Sequence, residues 1–166
     1  MLDPYQVLYL AYDPTTALAE SVLRSRPFAA ESGMRLIPYA AVHGRSLSVV
    51  RPRRDLTLVS LVDEADLAAV CQDSTLLEDE RNYPQARRWA SEIRAQASDA
   101  MGLIWQSRRN RPRLALVLFH DRFDDGKPLE SDPDGGIGDL GSATGAAEAN
   151  RLLAPLRAEI TFPRRS

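Results

Sequence analysis

The sequence predicts an α+β fold, and three observations carry that expectation. Strand-length apolar stretches outnumber helical periodicities, and the two do not alternate regularly as they would in a doubly wound parallel sheet. No uninterrupted apolar run exceeds six residues, which suits strands and falls far short of the ~20 residues of a membrane-spanning helix. The composition, 44% apolar and 27% charged over 166 residues, is that of one ordinary globular domain.

The first strand is expected over Gln6–Tyr12. It ends at Asp13-Pro14, where an aspartate N-cap followed by proline in the first turn opens a helix over about Thr15–Arg24. Leu18 and Val22 form the buried stripe of that helix. Glu20 lies about 200° round from Leu18 and faces either water or a cleft. Extended segments follow at Arg35–Val42 and Ser46–Val50, joined by a His43-Gly44 turn, then a strand over Asp55–Val62. Glu64–Cys71 reads as a short helix with Leu67, Ala68 and Cys71 on its apolar side, and Gln72–Asn82 as a loop.

The clearest helix begins near Pro84, because Ala86, Trp89, Ala90 and Ile93 recur at i, i+3, i+4 and i+7. Met101–Trp105 and Leu114–His120 read as an antiparallel pair of strands, the second central and buried on both faces. Asp121–Gly145 has the Asp, Gly, Pro and Ser content of an irregular exposed loop. A helix over Ala146–Leu153 and an extended piece over Ala158–Phe162 complete the expected elements.

Several function classes lose ground at this stage. Asp3 and Pro4 stand where a signal peptide would need a basic segment and a long apolar stretch, so a cytoplasmic location is expected. The single cysteine, Cys71, admits no intrachain disulfide, and with His43 and His120 it gives no zinc spacing. No metal is expected. A net charge of −2 speaks against direct nucleic-acid binding. The basic residues comprise 20 arginines and Lys127 alone; genome bias explains this best, with anion gripping as the functional rival.

Three motifs carry less than their spacing suggests. Gly136-x-Gly138-x-x-Gly141 has the spacing of a dinucleotide fingerprint but follows an Asp-Pro-Asp-Gly stretch rather than an evident strand. His120-Asp121 resembles a base with its orienting carboxylate, yet neighbours on a strand point to opposite faces. Cys71 reads as a small core residue rather than a nucleophile. Tyr9 in a strand centre and Glu20 in the next helix differ, because a β-turn-α unit can bring such groups to one cleft. From spacing alone, a core-edge tyrosine and a solvated glutamate remain the commoner outcome.

Those two residues also carry a family resemblance. Tyr5–Phe123 resembles the RES domains: "LYLAYDPTTALAE" is similar to their strand-helix signature, "YPQARRWASEIRAQASDAMGLIWQSRR" to their second half, and "LALVLFHDRF" to their closing strand. The resemblance implies a single domain over 1–166, with a family core at 1–123 and a loop, helix and strand over 124–166. It implies a mixed, split β-sheet core with several helices, like that of ADP-ribosyltransferases. The implied activity is that of an NAD⁺-consuming toxin cleaving the nicotinamide–ribose bond, as a glycohydrolase, phosphorylase or ADP-ribosyltransferase. NAD⁺ is then a substrate and no separate cofactor is implied; a protein antitoxin is the implied partner.

Carried over by motif, the resemblance assigns catalytic roles to Glu20 and Ser107 and a substrate contact to Tyr9. The family's arginine lies upstream of the tyrosine strand, and Met1–Leu8 contains none. Either the sequence starts late, or this member dispenses with that residue, in which case Arg108 or Arg109 is the substitute for gripping pyrophosphate. The alternative function is a catalytically inactive RES-like module that binds a protein. Oligomeric state stays open, a homo-oligomer included.

Overall fold

The computed structural model describes residues 5–78, 83–124 and 127–163. In chain order its elements are β1 (Val7–Ala11), α1 (Pro14–Val22), β2 (Arg35–Pro38), β3 (Leu47–Pro52), β4 (Leu58–Leu61), α2 (Glu64–Ala69) and α3 (Thr75–Glu78). Then come α4 (Tyr83–Gln96), β5 (Gly102–Gln106), β6 (Leu114–Phe119), β7 (Leu129–Ile137), α5 (Ala143–Leu153) and β8 (Ala158–Thr161). The fold is α+β with a mixed sheet. Contacts divide the chain into two compact units, Met1–Ala11 with Pro52–Pro128, and Tyr12–Arg51 with Leu129–Ser166.

The first unit is built on a four-stranded sheet of order β1-β6-β5-β4. β6 pairs antiparallel with β1 and β5, while β4 and β5 run parallel. Its run Leu-Ala-Leu-Val-Leu-Phe is buried from Ala115 to Phe119, the central position its continuous hydrophobicity predicts. Gly102 lets β5 approach closely, since a Cβ there would lie 2.0 Å from the Val117 carbonyl oxygen. One face of the sheet packs Leu61, Leu103, Val117 and Phe119 against Leu67 and Ile93. Full burial of such side chains contributes roughly 1.5–3 kcal/mol each.

Helix α4 presents the predicted stripe: Ile93 is buried, and Ala86, Trp89 and Ala90 are partly so. Its C-terminal turn is tied down by arginines. The Arg94 guanidinium lies 4.2 Å from the Tyr5 ring centroid and pairs with Asp121. Arg122 donates to the Arg94 carbonyl at 2.9 Å, which engages an acceptor that a helix end leaves without an intrahelical donor.

Helix α2 shows how local chemistry sets an element's ends. Asp63 caps the Asp66 N–H, and the Asp66 carboxylate reaches back to the Asp63 N–H in a capping box. Asp66 also accepts from the Ser60 hydroxyl and the Val62 N–H. The helix stops earlier than the apolar spacing suggests. Gln72 N–H bonds to Leu67 O and Cys71 N–H to Ala68 O, the paired bonds of a Schellman ending, with Cys71 left-handed at φ 58°. Cys71 is therefore exposed, not a core residue as its place in the sequence suggests. The expected loop Gln72–Asn82 contains α3, begun by Asp73 accepting from the Thr75 N–H at 2.9 Å; residues 79–82 lie outside the described ones.

The second unit buries Leu18, Val22, Ile37, Ala149, Leu153 and Ile160 at its centre. Asp13 accepts from the Thr16 N–H and hydroxyl, and Pro14 opens α1, as the sequence predicts. β2 pairs in parallel with β8, and β3 pairs with β7. Gly44 has φ 70°, so the expected turn is present. It does not close a hairpin, however, because β2 and β3 belong to different sheets. The largest departure is β7, which occupies the middle of the expected loop Asp121–Gly145. A two-stranded ribbon has an open edge on both strands, so Pro133 can sit in β7 without breaking a central ladder. Gly135 and Gly136 admit β3 closely, since a Cβ on Gly136 would lie 2.3 Å from Leu47 O.

Two predictions follow from α2. Cys71→Gly relieves a left-handed conformation costing about 1–2 kcal/mol, less the extra unfolded-state entropy of glycine. A gain of about 0.5–1 kcal/mol is expected, visible as a rise of about 1–4 °C in Tm; an unchanged or lower Tm contradicts it. The Ser60 hydroxyl, followed by the Val62 and Asp63 N–H groups, holds the Asp66 carboxyl below its usual range. A depressed carboxyl pKa adds stability above the unfolded-state pKa, and that part is lost as pH falls through the folded value. The difference in urea midpoint between wild type and Asp66→Asn should close as pH is lowered from 6 to 2, and a constant difference refutes the linkage.

Candidate functional site

Tyr9 occupies the centre of β1, the outermost strand of its sheet, and is 60% exposed. The register aligns Tyr9 with Val117 and Leu103, and Ala11 with Ala115, Trp105 and Leu61. Strand alternation puts Tyr9, Ala11, Ala115 and Trp105 on one face. The Tyr9 and Trp105 rings meet with centroids 6.4 Å apart and planes at 78°. Two positions beyond Trp105, Ser107 keeps the same alternation, and its N–H donates to Arg113 O at 2.7 Å. Tyr9, Trp105 and Ser107 thus share one face of the first unit's sheet, Trp105 and Ser107 at its end.

Ser107 is wholly buried. Its Oγ accepts from the Arg109 N–H at 3.3 Å and the Asn110 N–H at 3.2 Å, fastening the turn between β5 and β6. A hydroxyl has two lone pairs and one proton. Both lone pairs are directed at backbone donors, which ties the hydroxyl to the turn. Arg108 is exposed and Arg109 partly buried within the same turn.

Glu20 belongs to the second unit. α1 buries Thr16, Leu18, Ala19 and Val22, and leaves Glu20 partly exposed between its buried and solvent faces. Tyr9, Ser107, Arg108 and Arg109 all lie in the first unit.

The motifs set aside stay so, one of them for a different reason. β7 precedes Gly138 and α5 follows Gly141, so the strand that the sequence did not show is present alongside the expected helix. The local N–H groups are nevertheless engaged: Gly141 with the Asp139 carboxylate at 2.8 Å, and Gly145 with Ser142 Oγ at 2.9 Å. The strand after α5 pairs with β2 and not β7, so there is no dinucleotide-binding βαβ unit. Asp121 is paired with Arg94, away from any role of orienting His120. Among the described residues, no group of three or more His, Cys, Asp or Glu side chains is placed to hold a metal ion, and no helix is long and apolar enough to cross a membrane.

The RES domain family profile matches residues 3–135. The chain belongs to the RES domain family. The matched span includes Tyr9, Glu20, Ser107, Arg108 and Arg109, and runs past Phe123 into β7. Membership is consistent with a toxin-like, NAD-related function. No curated protein matches the chain, and no solved structure does.

Trp105 is the residue of this RES domain that sequence reasoning missed. Its one sequence signal is the i, i+2 spacing to Ser107, and the contact with Tyr9 emerges only from the pairing of three strands.

Ser107→Ala leaves two partly buried backbone donors without this acceptor, at a cost of about 1–3 kcal/mol. Its urea-unfolding free energy should fall by that amount, whatever happens to activity. Unchanged stability shows that the hydroxyl does not hold the turn.

Proposed function

We propose that this RES domain is an NAD⁺-consuming toxin that breaks the nicotinamide–ribose bond. The observation that carries the reading is Tyr9, Glu20 and Ser107 standing in family order within the matched span. The mixed sheet is compatible with the proposed likeness to ADP-ribosyltransferases.

The chemistry follows from the residue types. Nicotinamide leaves with the bonding pair, which neutralises its pyridinium nitrogen, and the positive charge passes to the ribose. The transition state is oxocarbenium-like, as in glycoside cleavage. Glu20 supplies the carboxylate that stabilises this charge, and it accepts a hydrogen bond from a ribose hydroxyl. Tyr9 offers an exposed aromatic face to the nicotinamide ring. Ser107, with its acceptor sites engaged, positions a neighbouring group by donating its proton. Arg108 or Arg109 binds the pyrophosphate through paired N–H groups. Water, phosphate or a protein side chain then takes the ADP-ribose. Action in the cytoplasm and control by a protein antitoxin complete the proposal.

The test is nicotinamide release from NAD⁺ by the purified protein. Glu20→Gln keeps the shape of the side chain and removes its charge, so kcat should fall by about 100-fold or more at unchanged Tm. Equal turnover by wild type and Glu20→Gln would overturn the role of Glu20. A well-folded wild type that releases no nicotinamide leaves the inactive, protein-binding module as the better reading.

A further inference from the structure

Tyr9 stands on an edge strand, with a neighbouring strand on one side only, and its ring is largely in solvent. It lies outside both buried clusters, whereas Trp105 packs against the sheet's cluster. Trp105 is also held from both sides of β5, opposite Leu61 on β4 and Ala115 on β6. The two aromatic residues are two strands apart and offset by one pleat. Only long side chains leaning over β6 can touch at that separation. Ala115 allows it: at the Trp105 level it is the one small side chain of a strand otherwise made of Leu, Val and Phe. The resulting geometry, 6.4 Å and 78°, falls within the edge-to-face range of aromatic pairs.

We infer that Trp105 is a positioning residue that sets the plane of the Tyr9 ring and thereby its affinity for the flat, cationic ring of the substrate. The inference rests on the NAD⁺-cleaving reading and extends it to a residue that touches Tyr9. An aromatic ring attracts a cation through its negative face and repels it at its positive edge. An exposed tyrosine free to turn presents both. A tyrosine held by a core-anchored tryptophan presents one face consistently. The effect belongs to the bound substrate, whose ring is cationic before cleavage and passes that charge to the ribose in the transition state, so KM rises and kcat does not fall.

The experiment is a double-variant cycle with steady-state kinetics on NAD⁺. Trp105→Leu keeps an apolar filler in the cluster and removes the ring. It should raise KM by about 2- to 12-fold, the range of an aromatic pair, with kcat equal to or above that of wild type. Trp105→Phe should restore most of the loss. In a Tyr9→Leu background, Trp105→Leu should add nothing further. Additive effects, a fall in kcat at constant KM, or no rescue by phenylalanine would each overturn the inference. A second measurement needs neither activity nor the Trp105→Leu variant, and is read on protein whose circular dichroism matches wild type. In Trp89→Phe protein, Trp105 is the sole tryptophan, and Tyr9→Leu must shift its fluorescence emission; no shift means no contact. Wild-type turnover separates the two levels: no nicotinamide release removes the NAD⁺ reading and this inference together, whereas release with additive variants removes the inference alone.

Discussion

β6 imposes the geometry on which the first unit depends. Ala115–Phe119 is buried and paired on both sides, so its register determines which residues of β1 and β5 stand level with one another. Pairing of Tyr9 with Val117 and of Trp105 with Ala115 follows from that register. A slip of one residue would send every side chain to the opposite face of the sheet. Gly102 helps to fix the alignment, because only a residue without Cβ can sit beneath the Val117 carbonyl. The turn after β5 is fixed as well, through the hydroxyl of Ser107. The placement of Tyr9 and Ser107, with Trp105 between them, is thus a consequence of one apolar strand.

The elements legible in the sequence are those whose cause is local. Continuous hydrophobicity marks Leu114–Phe119, a 3.6-residue period marks α4, and Asp13-Pro14 marks the start of α1 within a residue. β7 was not legible, because Leu129–Ile137 carries aspartates, a proline and two adjacent glycines, a composition that ordinarily signals a loop. It becomes a strand through its partner: β3 brings Val49 and Leu47 against Gly135 and Gly136. The pairing of Arg35 with Ala158 is equally non-local. Cys71 went astray differently, since its apolar spacing fits a continued helix while the Schellman bonds end that helix beforehand.

The candidate site divides along the same line. Tyr9 at a strand centre and Glu20 off the buried stripe of α1 were readable from spacing and from the family motif. The burial of Ser107 was not, because it depends on the backbone N–H groups of Arg109 and Asn110 folding back over the hydroxyl. That finding gives the serine a structural task, holding the turn after β5. Trp105 was invisible for a related reason: its partner lies nearly a hundred residues earlier and two strands away.

The arginine-rich composition gains a physical use in the structure. Arg35 donates to Leu156 O, Arg157 to the carbonyls of Gly33 and Ser32, and Arg122 to those of Arg94 and Ser98. Arg51 and Arg94 pair with Asp132 and Asp121. In most of these the planar fork serves a backbone acceptor at a helix end or in a loop, a role that lysine's single ammonium fills less well. A high arginine count is therefore no evidence by itself of an anion site, because some of these residues hold loops and helix ends. The proposal for Arg108 and Arg109 rests instead on their place: they follow Ser107 in the turn that this buried hydroxyl secures, at the end of the sheet that carries Tyr9.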